Sequence, residues 1–115
     1  MARVVAFVPD LLFGSSVLES LRAAGHEVSL AGDVQALRAA LPGADLVVLD
    51  LTADAPQRIE ELARVAPARP PVLAFYSHVE ADVRAMGVEA GFELVVPRSR
   101  MAREGPALVA QLVSG

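Results

Sequence analysis

The feature that most constrains the fold is an unbroken apolar run that ends in an acid, LVVLDLT at residues 46–52. A short run with no polar break is typical of a strand that is covered on both faces, as in a parallel sheet. We therefore predict a central strand here, with Asp50 at its carboxyl end. In open α/β sheets ligands bind at that edge, and a buried carboxylate there needs a partner.

The rest of the chain alternates strand patterns with amphipathic helix patterns, separated by short connections. The predicted order, βαβαβαβαβα, indicates a parallel sheet with helices on both faces. A length of 115 residues suits a single domain, 1–115, with one core. Besides the central strand, we predict strands at residues 4–8, 26–30 (an edge strand), 72–76 and 94–96.

Local residue choices set the limits of the first two helices. Ser16 and Glu19 fit a capping box for a helix that ends near Gly25, because Ser and Glu at this spacing satisfy free N–H groups reciprocally. Asp10 is an alternative cap, which would start the helix earlier. Asp33 is expected to cap the short second helix.

The later helices are predicted from caps and prolines. Asp54 is expected to cap the third helix, with Pro56 in its first turn. The fourth helix is expected over residues 80–90. Residues 98–105 are interpreted as a loop, and Pro106 is expected to open the last helix.

Composition excludes several kinds of chemistry. The chain has no Cys, which removes disulfides, thiolate nucleophiles and Cys-ligated metals. All 10 basic residues are Arg, so a Schiff-base or P-loop lysine is impossible. The net charge of −4 argues against non-specific nucleic-acid binding. We find no apolar run of membrane-spanning length and no export signal, and we therefore expect a cytoplasmic protein.

With these elements the chain resembles the receiver domain of bacterial response regulators over essentially its whole length. The matching segments are LVVLDL with Asp50, AFYS with Ser77, EAGFELVVP with Pro97, and Asp10 after the first strand. The resemblance implies an α/β, flavodoxin-like (βα)5 three-layer sandwich with a parallel sheet of order 2-1-3-4-5.

The resemblance also implies roles for individual residues at the carboxyl edge of the sheet. Asp50 matches the phosphoacceptor, and Asp10 and Asp50 match ligands of Mg²⁺. Ser77 matches the switch hydroxyl that contacts the phosphoryl group. Because the chain has no Lys, Arg98 is the candidate for neutralising phosphoryl charge. His78 follows Ser77 and is a candidate pH-sensitive gate.

Several positions depart from the receiver pattern. Pro9 stands where receivers usually carry a second acid, and Val96 stands where they carry Lys. Glu93 stands where receivers carry the switch aromatic, and Phe92 and Tyr76 are nearby candidates to substitute for that aromatic. We therefore expect weak Mg²⁺ binding and an atypical receiver that is slow to be phosphorylated or is regulated otherwise.

The expected function is that of a stand-alone signalling domain, not an enzyme, that acts through protein–protein interaction. Expected partners are a histidine kinase or a downstream signalling protein, and an exposed apolar loop at residues 11–13 favours a protein partner, with a second copy of the chain as one candidate. The alternative is a flavodoxin-like domain that binds a small molecule or nucleotide through residues 14–16 and the arginines. A Ser77–His78–Asp50 hydrolase is disfavoured, because adjacent strand residues point in opposite directions.

Overall fold

The computed structural model of the chain describes residues 2–77 and 80–113, and of Leu11 it describes only the backbone. Within these residues five strands alternate with five helices, as the sequence pattern predicts. The elements are β1 (Arg3–Phe7), α1 (Leu11–Ala23), β2 (Glu27–Ala31), α2 (Val34–Ala40), β3 (Leu46–Asp50), α3 (Ala55–Val65), β4 (Val72–Tyr76), α4 (Ala81–Glu89), β5 (Leu94–Pro97) and α5 (Arg98–Val113).

The strands form one parallel sheet in the order β2-β1-β3-β4-β5, which confirms the predicted flavodoxin-like topology. β3 lies at the centre, between β1 and β4, and all of its residues are buried. β2 pairs only with β1 among the described strands and has exposed positions, in agreement with the predicted edge strand. An uninterrupted apolar run therefore marks the centre of the sheet and an alternating pattern marks its edge.

Side-chain alternation along the strands divides the core into two layers, one on each face of the sheet. On one face Val48 and Leu73 pack with residues of α1 and α5. On the other face Val47 and Leu49 pack with residues of α2, α3 and α4. Each layer is thus closed by its own set of helices.

An acid and a hydroxyl lie at the carboxyl edge of the sheet. Asp50 follows Val48 by two residues, and Ser77 follows Phe75 by two, while Val48 and Phe75 both belong to the layer under α1 and α5. Asp50 also pairs with Phe75 across the β3–β4 ladder. The two functional candidates therefore lie at the carboxyl ends of neighbouring strands, Asp50 as the last residue of β3 and Ser77 directly after β4.

α1 starts earlier than the capping-box prediction places it, and the alternative start at Asp10 is confirmed. The Asp10 carboxylate accepts hydrogen bonds from the backbone N–H groups of Leu12, at 3.0 Å, and Phe13, at 3.2 Å. Ser16 consequently lies inside the helix. Gly14 sits in the first turn, where a Cβ atom would come within 3.1 Å of the Leu30 side chain. The small residue is thus explained by close packing against the end of β2 and not by a loop.

α5 corrects the prediction for the last part of the chain, because residues 98–105 are helical and Pro106 lies inside the helix. Proline in a helix interior removes one backbone hydrogen bond and costs about 3 kcal/mol. Burial of Met101, Leu108 and Val109 against the sheet offsets that cost. Tertiary packing therefore overrides the local preference of Pro106 for a first turn.

The expected cap of α3 is also wrong in its detail. Asp54 precedes the helix, but its backbone is left-handed, with φ of 53°, and its side chain makes no capping hydrogen bond. Pro56 does lie in the first turn, as predicted. Asp33 caps α2 as predicted and accepts a hydrogen bond from the Ala36 N–H at 2.8 Å. Over residues 2–77 and 80–113, every helix is too short or too polar to cross a membrane.

Candidate functional site

Asp50 is the one charged residue among the described residues that is buried, with 5% of its surface exposed. Its Oδ1 atom accepts a hydrogen bond from the backbone N–H of Thr52 at 2.8 Å and another from the Thr52 hydroxyl. An acid that bonds to the chain two residues ahead is a common turn device, because it satisfies the carboxylate locally. Thr52 therefore fixes one oxygen of the buried acid at the start of the β3–α3 loop.

Asp10 lies at the same edge, but both of its carboxylate oxygens already have partners. Oδ1 caps α1 through the N–H groups of Leu12 and Phe13, while Oδ2 lies 3.4 Å from a terminal nitrogen of Arg98. The two paired side chains are each a little under half exposed. The pair joins residues 88 apart in sequence, and it connects the first turns of α1 and α5.

Two aromatic rings pack next to this ion pair. The guanidinium of Arg98 lies 4.3 Å from the centre of the Phe13 ring, a distance typical of a cation–π contact. Phe13 in turn packs against Phe75 of β4, with ring centres 5.0 Å apart. Phe13 is therefore part of the site and not of an exposed patch, whereas its neighbour Leu12 is 87% exposed.

A shallow cavity of about 530 Å³ opens beside these residues. It brings together the side chains of Thr52, Ser77 and Arg98, which come from three separate elements or loops. Arg98 is the one cation in its lining among the described residues, and Glu80 is the one acid. The cavity is also lined by Phe13, Ser99 and Ala102. His78, the candidate gate, lies outside the described residues.

The side chains at this edge do not fit a resident Mg²⁺. Mg²⁺ requires near-octahedral oxygen coordination, yet Asp10 is committed to a helix cap and an arginine, and one oxygen of Asp50 is committed to Thr52. Nowhere in the described part of the chain do three His, Cys, Asp or Glu side chains gather in a possible metal site. The positive charge nearest to Asp10 is that of Arg98.

Glu93, matched in sequence to the switch aromatic, lies at the opposite edge of the sheet. It precedes β5, and its Oε1 atom accepts hydrogen bonds from the N–H of Val72, at 2.7 Å, and from Arg69, at 3.2 Å. Partial burial works to raise the pKa of Glu93, but backbone N–H groups and Arg69 outweigh it, so the pKa is lowered. Glu93 therefore lies away from Asp50, because Val72 begins β4 and Asp50 lies at the far end of the sheet.

Two residues of the site, Thr52 and Phe13, were not predicted from the sequence. The spacing of Thr52 from Asp50 is a recognisable side-chain turn pattern, and it was available from the sequence. The position of Phe13 depends on α1 starting at Leu11. The later start predicted at Ser16 leaves Phe13 in a loop, and that error hides its contact with Phe75.

The fold matches solved structures of receiver domains along almost the whole chain. The receiver domain of a Francisella response regulator superposes with a TM-score of 0.83 at 15% identity, covering 99% of this chain and 98% of that one. A Thermotoga maritima response regulator gives 0.83 at 18% identity, covering 100% and 99%. A response regulator receiver protein from Burkholderia phymatum gives 0.82 at 21% identity, covering 99% and 96%.

The class that follows is structural: the chain has the fold of a response regulator receiver domain. Comparison of the sequence with models of protein families gives no match, and comparison with curated proteins gives none. At identities of 15–21% a shared fold does not transfer a function, so the activity has to be argued from the residues at the site.

Proposed function

We propose that this chain is a receiver-like signalling domain that accepts a phosphoryl group on Asp50 and acts by binding other proteins. The observation that carries the proposal is the placement of Asp50, a buried acid at the carboxyl end of the central strand. Ser77 directly follows the neighbouring strand β4, and it lines the adjoining cavity together with Arg98. Asp50 and Ser77 match the receiver pattern, whereas Arg98 lies two residues after Val96, the position at which receivers carry Lys.

The chemistry proposed for Asp50 is the attack of a carboxylate oxygen on the phosphorus of a donor. Thr52 holds Oδ1, so Oδ2 is the candidate nucleophile. Attack forms an acyl phosphate while the bond from phosphorus to the leaving oxygen breaks. Such transfers depend mostly on positioning and on neutralising charge. The proposed role of Ser77 is to donate its hydroxyl to the transferred group, which would couple modification to the β4–α4 loop.

The direct test is intact-mass measurement after incubation with acetyl phosphate, both with Mg²⁺ and with a chelator. We expect an added phosphoryl mass on the wild type and none on Asp50→Asn. Asp54→Asn is the matched control, because it removes the same charge four residues further on. Its left-handed backbone also suits Asn. An adduct that persists in Asp50→Asn, or no adduct under any condition, contradicts the proposed phosphoacceptor.

The proposed output is binding and not catalysis. Histidine kinases and downstream signalling proteins are the proposed partners, and the net charge of −4 does not favour nucleic acid. The exposed side chain of Leu12 lies beside the site, at the start of α1, and is the proposed contact for a second copy. Light scattering before and after phosphorylation tests that assembly: a mass that never exceeds the monomer value rules out the homodimer.

A second candidate function rests on the cavity itself. An opening of about 530 Å³ with one arginine and three hydroxyl side chains has the mixed polar lining of small-molecule sites. The alternative is therefore a domain that binds a small anionic molecule or nucleotide without phosphotransfer. Thermal unfolding with nucleotides, flavins and cobalamin in excess separates the two, because a ligand that binds only the folded chain raises the unfolding midpoint.

A further inference from the structure

We propose that the guanidinium of Arg98 takes the place of a divalent cation at this site, so that Asp50 is phosphorylated without metal. The inference rests on the proposed function and adds to it the source of positive charge. It follows from the disagreement between the side chains present and the requirements of Mg²⁺.

The first observation is the state of Asp10. Its Oδ1 atom accepts hydrogen bonds from the N–H groups at the start of α1, and its Oδ2 atom pairs with Arg98. A cation that coordinated Asp10 would have to displace the helix cap or the arginine. Arg98 carries the same sign of charge as the metal, so the two compete for one carboxylate.

The second observation is the position of Arg98. It is the first residue of α5, it stacks on Phe13, and Phe13 is held by the buried ring of Phe75. The same arginine lines the cavity with Thr52 and Ser77. The guanidinium of Arg98 is therefore held at the rim of this cavity.

The third observation is the looseness of the Arg98–Asp10 pair. The nitrogen–oxygen distance is 3.4 Å and both side chains are about half exposed, which is the geometry of a weak surface pair. Arginine binds phosphate oxygens in pairs through its planar fork, and such bonds are stronger than neutral ones. Arg98 can thus exchange Asp10 for a phosphoryl group, while its stacking on Phe13 keeps the positive charge beside Asp10, where it opposes a divalent cation whether or not the ion pair is made.

The chemical step balances without a metal. An oxygen of the ionised Asp50 attacks the phosphorus of acetyl phosphate, the bond between phosphorus and the acetyl oxygen breaks, and acetate leaves with the electron pair. No proton moves. The charge that accumulates on the phosphoryl oxygens is met by Arg98, whereas Glu80, on the cavity wall, opposes it. Replacing Glu80 with Gln should therefore increase the labelling rate.

The first experiment measures the rate of phosphoryl incorporation by intact mass, with EDTA and with MgCl₂ at matched ionic strength. The wild type should be labelled at the same rate in both. In EDTA, Arg98→Gln should be labelled on the order of a hundredfold more slowly than the wild type. Arg98→Lys should recover part of that loss. Arg103→Gln is the matched control, since it lies on the same helix and contacts Glu104. Wild-type labelling that requires Mg²⁺, or Arg98→Gln labelling at the wild-type rate, overturns the inference.

The second experiment separates this inference from the proposed function, because it needs no phosphotransfer. Thermal unfolding is followed in MgCl₂ and in NaCl of equal ionic strength. The wild-type midpoint should be the same in both salts, and Arg98→Gln, with Asp10 released, should be stabilised by Mg²⁺. A Mg²⁺-dependent increase in the wild type as large as that of the variant overturns the competition. An absent phosphoryl adduct alongside the expected unfolding result removes only the proposed phosphorylation.

Discussion

Two ion pairs, one at each edge of the sheet, use the same parts in different ways. At the amino edge Arg69 lies 5.2 Å from the centre of the Phe92 ring and pairs with Glu93. At the carboxyl edge Arg98 lies 4.3 Å from the centre of the Phe13 ring and pairs with Asp10. Both therefore combine an arginine, a phenylalanine and an acid.

The difference lies in how many bonds hold each arginine. Arg69 donates to the carbonyl oxygens of Pro70, at 3.0 Å, and Gly91, at 3.1 Å, as well as to Glu93. Arg98 has one polar contact among the described residues, the 3.4 Å approach to Asp10. Arg69 is thus held firmly at the amino edge, and Arg98 is held weakly at the carboxyl edge. We interpret Arg69 as a structural residue and Arg98 as a residue that changes its contacts.

The largest expected effect in this comparison is that of Arg69→Met. The change removes three hydrogen bonds and leaves Glu93 without its cation, so the free energy of unfolding should fall by about 2–3 kcal/mol. Urea denaturation followed by circular dichroism measures it. If Arg98→Met lowers the free energy of unfolding by as much as Arg69→Met, the two edges do not differ in the way we propose.

The next effect is the pH dependence that Glu93 gives to stability. Its folded-state pKa lies below the ordinary value of 4.5, because backbone and Arg69 bonds outweigh the opposing effect of burial. The stabilisation is thus complete above that value and is lost as pH falls through the lowered pKa. Glu93→Gln should remove this acid-side decline, and Glu60→Gln, in an exposed pair with Arg64, should keep it. The measurement is the urea midpoint of unfolding as a function of pH across the acid range. If the midpoints of wild type and Glu93→Gln fall in parallel as pH is lowered, Glu93 is not the source of this pH dependence.

A smaller change in stability is expected from Arg98→Gln. Loss of a half-exposed pair should lower the free energy of unfolding by less than about 1 kcal/mol. The same variant should slow metal-independent labelling on the order of a hundredfold, so a small stability effect accompanies a large functional one. Urea denaturation supplies the first measurement, and a loss as large as that of Arg69→Met would make Arg98 a structural residue.

The smallest effect on stability is expected from Leu12→Ser. The side chain is 87% exposed, so the free energy of unfolding should change by no more than about 0.5 kcal/mol. Any self-association of the chain should weaken, and light scattering at several concentrations measures it. Equal association of wild type and variant would remove Leu12 from the interface.

The sequence predicted the fold well because its strongest patterns are local. The run at residues 46–52 marks the central strand, and strict alternation of elements determines a parallel sheet. Asp33 acts on an N–H group three residues away, so spacing alone finds it, whereas the spacing of Ser16 and Glu19 competes with the cap at Asp10. Where a residue acts on its own neighbourhood, its role is readable.

The missed features depend on distant contacts. Pro106 continues a helix because buried residues on the same helix hold it against the sheet. Arg98 meets Asp10 across 88 positions, and no spacing rule connects them. The bonds of Glu93 to Val72 and Arg69 form only in the assembled sheet, so no local pattern reveals them.

The location of Tyr76 at the end of β4 has a practical consequence. It is the only tyrosine in a chain without tryptophan, and 8% of its surface is exposed. Ultraviolet emission excited at wavelengths that tyrosine absorbs and phenylalanine does not therefore originates beside Ser77, so the molecule carries its own spectroscopic probe. Time-resolved emission decay would follow rearrangement of that strand end during modification, with no dye attached.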